Sequence, residues 1–277
     1  MSEVTREAAF AKLNPFLHVG PPRPDGLHPL CSIFASLDLA DVVEVETAGE
    51  GAGSDLVHCP GVRGVNLAQR AAAAFRQRVP ALPRLKIRID KRIPVAAGLG
   101  GGSADAAAVL RAANRIAGDP LADDALREIA AGLGSDVPSQ VEPGHALVQG
   151  VGEIVEEVEL PPLGVVLVAQ EEGLSTRSVY AQLDRMQGWR ERLDPQPLRE
   201  LARSFDPRAL DNDLQPAALA LRPELAQVLE RLGESGALGT LVSGSGPTCF
   251  ALFADRAQAE HSAREIEGAI VAPFRQR

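Results

Sequence analysis

The strongest chemical pattern in the chain lies between Pro94 and Ala108: Pro-Val-Ala-Ala-Gly-Leu-Gly-Gly-Gly-Ser-Ala-Asp-Ala-Ala-Ala. Its glycines, Gly98, Gly100, Gly101 and Gly102, tolerate positive φ and let another group approach the backbone closely. Ser103 is expected as an N-cap, and Ala104 to Ala113 has high helix propensity. A glycine loop that opens a helix aims unpaired N–H groups and the positive end of the helix dipole at one point. That is an anion site, and phosphate is the usual occupant. A flexible linker is the bland alternative, and the ordered flanks speak against it. A Walker A loop would need Gly-Lys-Ser/Thr, and no lysine follows these glycines. A dinucleotide fingerprint would need Gly-x-Gly-x-x-Gly/Ala and an acidic residue on a second strand. Here Gly98-x-Gly100 reaches Ser103, and Asp119 sits in a Gly-Asp-Pro turn. The loop is a phosphate loop of another type.

Other groups gain weight beside it. Period two in a strand from Ala11 to Val19 puts Lys12, Asn14, Phe16 and His18 on one face, and Leu13, Leu17 and Val19 on the other. Alone, Lys12 reads as a solvated surface lysine and His28, after the Asp25-Gly26 turn, as an ordinary histidine. Asp136, in Gly134-Ser135-Asp136-Val137-Pro138, reads first as a capping or Asx-turn residue, and the Val-Pro step predicts extended backbone after it. Ser243-Gly244-Ser245-Gly246-Pro247 forms a second glycine loop.

The elements that must position these residues follow from pattern. Pro15 suggests that the first strand is an edge or carries a bulge. Strands are expected at Pro29 to Leu37, Val42 to Thr47 and Leu85 to Asp90, with loop from Gly49 to Gly64. Asn66 predicts an N-cap for a helix through Arg78, and Asp119-Pro120 predicts the start of a helix running to Leu133. Short strands follow at Ala146 to Gly150 and Ile154 to Glu159. Pro161-Pro162 marks the expected domain boundary. Beyond it come a strand at Val165 to Ala169, a helix capped by Ser175 or Thr176 that carries Tyr180, and a poorly patterned stretch from Arg185 to Arg208. Asn212-Asp213-Leu214 leads to a helix from Pro223 to Leu232. Strands at Leu238 to Val242 and Thr248 to Phe253, a helix at Gln258 to Glu267 and a strand at Ala269 to Pro273 fit a ferredoxin-like half. The fold class is α+β in two domains.

Composition narrows the function. The 277 residues suffice for one large or two small domains, and the net charge of −9, without a Lys/Arg run, argues against nucleic-acid partners. Cys31, Cys59 and Cys249 lack metal or disulfide spacing and read as buried free thiols in a reducing cytosol. Glu3, Arg6 and Glu7 do not read as an export signal, and no apolar run approaches bilayer length, so a cytoplasmic protein without membrane partners is expected.

Taken together, the Lys12 strand, the Pro94-to-Ser103 loop and Ser243-Gly244-Ser245-Gly246 resemble three blocks of the small-molecule kinase superfamily named for galactokinase, homoserine kinase, mevalonate kinase and phosphomevalonate kinase. Within it, several further runs resemble the branch that phosphorylates a cytidine-diphosphate-linked methylerythritol: Ala11-Lys12-Leu13-Asn14, Arg23-Pro24-Asp25-Gly26-Leu27-His28, Ile89-Asp90-Lys91-Arg92-Ile93-Pro94, Gly150-Val151-Gly152-Glu153 and Asn212-Asp213-Leu214. The resemblance implies residues 1–160 as an N-terminal ATP-binding and catalytic domain and residues 161–277 as a C-terminal α+β domain on the substrate side. It implies Lys12 and Asp136 as the catalytic pair. ATP would be held by Pro94, Val95, Ala96, Ala97, Gly98, Leu99, Gly100, Gly101, Gly102, Ser103 and Ala104, with Asn66 and Lys91 near the adenine. The substrate would meet Asn14, Leu27, His28, Thr176, Tyr180 and Gly244, with His28 reading cytosine. Mg²⁺ would be carried mainly by ATP, with Ser103 the one side chain assigned to metal or phosphate. A monomer or homodimer is expected.

Two positions depart from the branch. Leu27 stands where a tyrosine usually stacks on cytosine, and Ser139 and Gln140 replace an aromatic pair. The competing readings are a kinase of the same superfamily acting on homoserine or a mevalonate-like alcohol, and a nucleotide-binding homologue without catalysis. The Asp25-Gly26-x-His28 turn weighs against the first, and retention of both Lys12 and Asp136 against the second.

Overall fold

The structure, a computed structural model, describes residues 4–49, 53–62 and 66–276; Glu3 and part of the expected Gly49-to-Gly64 loop lie outside them. Two compact units emerge. Unit 1 comprises Met1–Ala11, Leu39–Val95 and Gly100–Pro143; unit 2 comprises Lys12–Asp38, Ala96–Leu99 and Gly144–Arg277. Strands β1 (Thr5–Val19) and β2 (Leu30–Thr47) contribute residues to both.

In unit 1, residues 42–47 of β2 pair antiparallel with β4 (Leu85–Asp90), whose other edge takes β3 (Leu56–His58) in parallel. Along β4, Leu85, Ile87 and Ile89 are buried and Lys86, Arg88 and Asp90 exposed, as period-two alternation dictates. Helices α1 (Leu67–Arg78) and α2 (Gly101–Ile116) share one core in which Ala68, Ala71, Ala72 and Phe75 join Ala104, Ala107, Ala108 and Val109. Small side chains let such helices approach closely. Helix α3 (Asp123–Ala131) and a 3₁₀ turn at Pro138–Gln140 complete the unit.

In unit 2, residues 30–34 of β2 pair with β5 (Ala146–Gly150), which forms a hairpin with β6 (Ile154–Glu157). This pairing groups residues 144–160 with unit 2, so the compact units do not part at Pro161-Pro162. Next come β7 (Gly164–Val168), α4 (Thr176–Met186), α5 (Gln196–Arg203), β8 (Asp211–Asn212), α6 (Gln215–Leu221) and α7 (Leu225–Glu234). The last elements are β9 (Gly239–Val242), β10 (Cys249–Phe253), α8 (Arg256–Ala263) and β11 (Ala269–Val271). An antiparallel sheet in the order β11-β7-β10-β9 has β7 and β10 wholly buried, which is why both read as unbroken apolar runs. β8 pairs in parallel with Phe16 and Leu17 of β1.

Several expectations are corrected. The two strands expected at Pro29 to Leu37 and Val42 to Thr47 are one continuous β2. Asp41, between the two expected strands, lies within β2, and its carboxylate accepts the backbone N–H groups of Arg92 and Ile93. The Gly49-to-Gly64 stretch contains β3. Asp119 has φ 56° and donates its N–H to Asn114 O, so it ends α2, and α3 starts only at Asp123. Val137 adopts right-handed helical backbone rather than extended, because it leads into the 3₁₀ turn and its carbonyl accepts Gln140 N–H. Helix α6 was not expected. Cys31 and Cys249 are buried free thiols, pushed up by burial to about 11 and about 12; Cys59 is partly buried.

Candidate active site

Within unit 2, β1 places Lys12 and Asn14 two residues apart, and the surface reading of Lys12 fails: the residue is 5% exposed. Its ammonium donates to Asn14 Oδ1 at 2.8 Å and lies 4.8 Å from the Phe34 ring centroid. Asn14 Nδ2 donates to Ser32 Oγ at 2.9 Å, and that hydroxyl donates to Phe16 O at 2.6 Å. The relay fixes the amide with its oxygen toward Lys12. Gly244 belongs to the same place. It has φ 56°, and a Cβ there would lie 3.2 Å from Asn14 Oδ1 and 3.6 Å from Lys12 Nζ.

Residues 96–99 of the first glycine loop are stitched to the same surroundings. Lys12 N–H donates to Leu99 O, Thr248 N–H to Ala97 O and Ser243 Oγ to Gly98 O. Gly98 has φ 76°, and a Cβ there would lie 2.7 Å from Ser243 O and 2.8 Å from Gly246 O. No side chain fits between backbone atoms at that distance. Asn212 sets the second loop: its Nδ2 donates to Val242 O and Gly244 O, both at 2.8 Å, and its Oδ1 accepts Leu214 N–H. Thr176 Oγ1 meets Ser245 Oγ at 3.0 Å, which ties the start of α4 to the same loop.

His28 is buried with both ring nitrogens engaged. Nδ1 lies 2.8 Å from Gly20 O, an acceptor only, so the proton sits on Nδ1. Nε2 faces Asp184 Oδ1 at 3.3 Å. The ring lies 5.2 Å from that of Tyr180, tilted by 43°. Leu27 points the other way in character, 50% exposed.

Within unit 1, α2 begins at Gly101 with Gly100 as its N-cap at φ 71° and no side-chain cap. Ser103 therefore sits inside the first turn and is not the cap; the left-handed Gly100 turns the chain into the helix earlier than the serine rule predicts. Gly101 is helical, and its constraint is room: a Cβ there would lie 3.1 Å from Ile93 Cγ2 and 3.3 Å from Lys91 Nζ. A Cβ on Gly102 would meet nothing within 4 Å. Pro94 and Val95 precede the loop, Val95 exposed, while Ala104 is buried in α2. Lys91 pairs with Asp41 and, at 2.8 Å, with Asp105. Burial opposes its charge, but the two carboxylates prevail and raise its pKa. Burial pushes the Asp105 carboxyl up, only partly countered by Lys91. Asn66 Oδ1 accepts Ala68 N–H at 2.9 Å as the cap of α1. Asp136 is half-buried in its turn, where its carbonyl accepts Ser139 Oγ.

Among the described residues no group of three or more His, Cys, Asp or Glu is placed to hold a metal, and no helix is long and apolar enough to cross a membrane. A cavity of about 700 Å³ in unit 2, lined by Glu156, Glu159, Pro161, Arg199, Arg203 and Phe205 among others, includes none of the expected site residues.

Residues 66–144 match the family described as GHMP kinases N terminal domain, and residues 191–270 match GHMP kinases C terminal. A 4-diphosphocytidyl-2-C-methyl-D-erythritol kinase of Anaeromyxobacter sp. (strain Fw109-5) is 45% identical over 272 residues, covering 95% of this chain and 87% of that protein. One of Salinispora tropica is 42% identical over 275 residues, covering 92% and 85%. The chain belongs to the 4-diphosphocytidyl-2-C-methyl-D-erythritol kinases, within the GHMP kinases. A crystal structure of a 4-(cytidine 5′-diphospho)-2C-methyl-D-erythritol kinase superposes with a TM-score of 0.83 at 33% identity, covering 99% of this chain and all of that one. A homoserine kinase from Cytophaga hutchinsonii shares the fold alone, with a TM-score of 0.71 at 17% identity over 99% and 95% of the two chains.

As a GHMP kinase the chain is a small-molecule phosphotransferase, with the expected α+β fold in two domains. Sequence reasoning missed residues that hold its kinase motifs in place, Ser32, Asp41, Asp105 and Asp184, and quoted Asn212 without giving it this role. A signal existed for Asp41 and Asp105, each an acid inside an apolar run that must be buried. None marked Ser32.

Proposed function

We propose that the protein transfers the γ-phosphoryl group of ATP to the 2-hydroxyl of 4-(cytidine 5′-diphospho)-2-C-methyl-D-erythritol, in the non-mevalonate route to isoprenoid precursors. The observation that carries the reading is the 45% identity to a kinase of that name over 95% of this chain. The buried Lys12–Asn14 pair beside Gly244 supports it chemically. Phosphoryl transfer through a loose transition state asks mainly for alignment and charge neutralisation. Asp136 is assigned to orient or accept the proton of the acceptor hydroxyl, and Lys12 to offset charge on the moving phosphoryl group. Asn14, held by Ser32, would present the methylerythritol end. His28, Leu27, Tyr180, Thr176 and Gly244 would line the cytidine diphosphate, with Tyr180 as the aromatic platform that Leu27 does not provide.

The triphosphate would lie along residues 94–104, on the start of α2, where no side chain caps the first turn and backbone N–H groups remain for an anion. Asn66 and Lys91 are assigned to the adenine end. ATP fits that cradle. Mg²⁺ is assigned to the triphosphate itself, with Ser103 in reach of metal or phosphate, in keeping with an ion that prefers phosphate oxygens and water. When bound it would neutralise phosphate charge. Residues 1–160 are the proposed nucleotide half and residues 161–277 the substrate half, in a cytoplasmic monomer or homodimer.

The test is turnover of purified protein with ATP and the cytidine-diphosphate-linked alcohol. Product formation is expected, with Asp136→Asn and Lys12→Ala folded but slower by roughly 10²–10⁴-fold. Phosphorylation of homoserine or mevalonate instead, or an unimpaired Asp136→Asn, would refute the reading.

A further inference from the structure

The poorly patterned stretch from Arg185 to Arg208 carries one residue at the centre of a charged cluster in unit 2. The guanidinium of Arg190 donates to both carboxylate oxygens of Asp213, at 2.8–3.1 Å, and to Asp211 Oδ2 at 2.5 Å. His18 Nε2 lies 3.3 Å from the same Asp211 oxygen. Asp213 Oδ2 also accepts the N–H of Val19, and Arg190 donates its own backbone N–H to Val19 O, both at 2.8 Å. The end of β1 is therefore held on both polar groups of its last residue.

Asn212 stands between the two acids. Strand β8 has only two residues, with Asp211 opposite Phe16 and Asn212 opposite Leu17 of β1. So short a parallel pairing has little ladder of its own to fix its register. A slip of one residue would turn the Asn212 side chain to the opposite face, because side chains alternate along a strand. That side chain holds Val242 O and Gly244 O, and Gly244 lies against the Asn14 oxygen that takes the Lys12 ammonium. The cluster continues the pairing where β8 stops: Asp213 N–H donates to Leu17 O, its carboxylate takes Val19 N–H, and Arg190 ties the acids on either side of Asn212 to each other. A guanidinium fork on a carboxylate fixes angle as well as distance. The bland reading is an ion pair that merely stabilises the fold. The Arg190 side chain is 39% exposed, and pairs so open to solvent contribute little stability.

We propose that Arg190 is a positioning residue for phosphoryl transfer: through Asp211 and Asp213 it fixes the register of β8 on β1, and with it the point at which Asn212 holds Gly244 beside Asn14 and Lys12. This rests on the reading of Lys12 and Asn14 as groups that act in turnover. The effect belongs to kcat, because what shifts is the alignment of groups that act on the reacting atoms.

The test is steady-state turnover of ATP and the cytidine-diphosphate-linked alcohol, per mole of folded protein. Wild type is compared with Arg190→Met, Arg190→Lys, Asn212→Ala and the variant carrying both Arg190→Met and Asn212→Ala. Arg190→Met is expected to lower kcat about tenfold, with the ATP KM within about twofold. Its thermal midpoint should stay within about 4 °C of wild type. Arg190→Lys, which keeps the charge without the fork, should return kcat to within about threefold. The double variant should be no slower than Asn212→Ala, since the arginine acts through the asparagine. An unchanged kcat in folded Arg190→Met would overturn the proposal. Losses that multiply in the double variant would overturn it in favour of a purely structural ion pair, as would activity lost only in step with folded protein. Should Arg190→Met fail to fold, Arg190→Gln decides by the same criteria; should Asn212→Ala fail to fold, Gly244→Ala takes its place in the double variant. Those failures all presuppose an active wild type. Wild-type protein that does not turn over the cytidine substrate would instead refute the functional reading, and the proposal with it.

Discussion

The glycine loop at residues 94–102 runs into a 16-residue helix, whereas the one at 243–247 joins two antiparallel strands. The second loop is closed in on itself: Gly246 N–H donates to Ser243 O, and Ser243 N–H to Thr248 O. The first loop changes character along its length. At Gly98 it is packed against the backbone of the second loop, while at Gly102 it meets open space. One residue type thus serves different needs in the two loops. Gly98 needs both positive φ and the absence of a side chain, Gly244 and Gly246 need mainly positive φ, and Gly102, where a Cβ would meet no protein atom within 4 Å, needs neither.

Substitutions can break this comparison, beginning where the effect is largest. Gly98→Val forces a branched side chain into a left-handed backbone and onto two carbonyl oxygens, and is expected to cost about 3 kcal/mol or more in stability. A denaturation midpoint equal to wild type would separate the two loops. Gly244→Ala should lower kcat by about tenfold, because the new methyl presses on the Asn14 oxygen that holds Lys12 and a displaced catalytic group is costly. An unchanged kcat would detach the second loop from catalysis.

Gly246→Ala should cost about 1–2 kcal/mol for its φ of 78°, with the ATP KM unmoved. Its nearest obstacle is the end of the Val242 side chain, which can yield. Gly102→Ala carries the smallest stability effect and the sharpest test. A helical glycine replaced by alanine should gain about 0.5–1 kcal/mol. If the open space at Gly102 belongs to nucleotide, the same variant should show a raised ATP KM despite its higher midpoint. A stabilised enzyme with unchanged KM would place the triphosphate elsewhere.

How far these roles were legible depends on the range of the interaction that sets them. That glycines precede a helix is local, and so is the alternation that outlines β4 and the cap that starts α1 at Asn66. Which glycine turns left-handed is not local: the oxygens crowding Gly98 come from Ser243 and Gly246. Ser103 looked like a cap because only neighbours in the chain were visible. Lys12 shows the same limit, since alternation assigns it a face of β1 but cannot say that both faces are buried. The role of Asp41 was not legible because its partners, Lys91, Arg92 and Ile93, lie beyond the strand that carries it. The motifs were readable as chemistry, and the residues that hold them still were not.

The pairing of β11 with β7 has a consequence for the order in which the protein comes into being. Residues 272–275 extend that strand onward: Ala272 and Phe274 donate their N–H groups to Val165 and Leu163, Arg275 donates to Ser36 O, and Asp38 N–H reaches Pro273 O. Synthesis therefore makes Lys12 and Asn14 among the first residues of unit 2, but Gly244 and the residues that close the sheet among the last. A partly translated chain holds its buried lysine without the loop that crowds it. Contacts so distant in sequence form slowly, and exposed strand edges in the interval are open to wrong partners. The nascent protein is expected to depend on chaperone protection until β10 and β11 have emerged, and to be inert as a kinase until then.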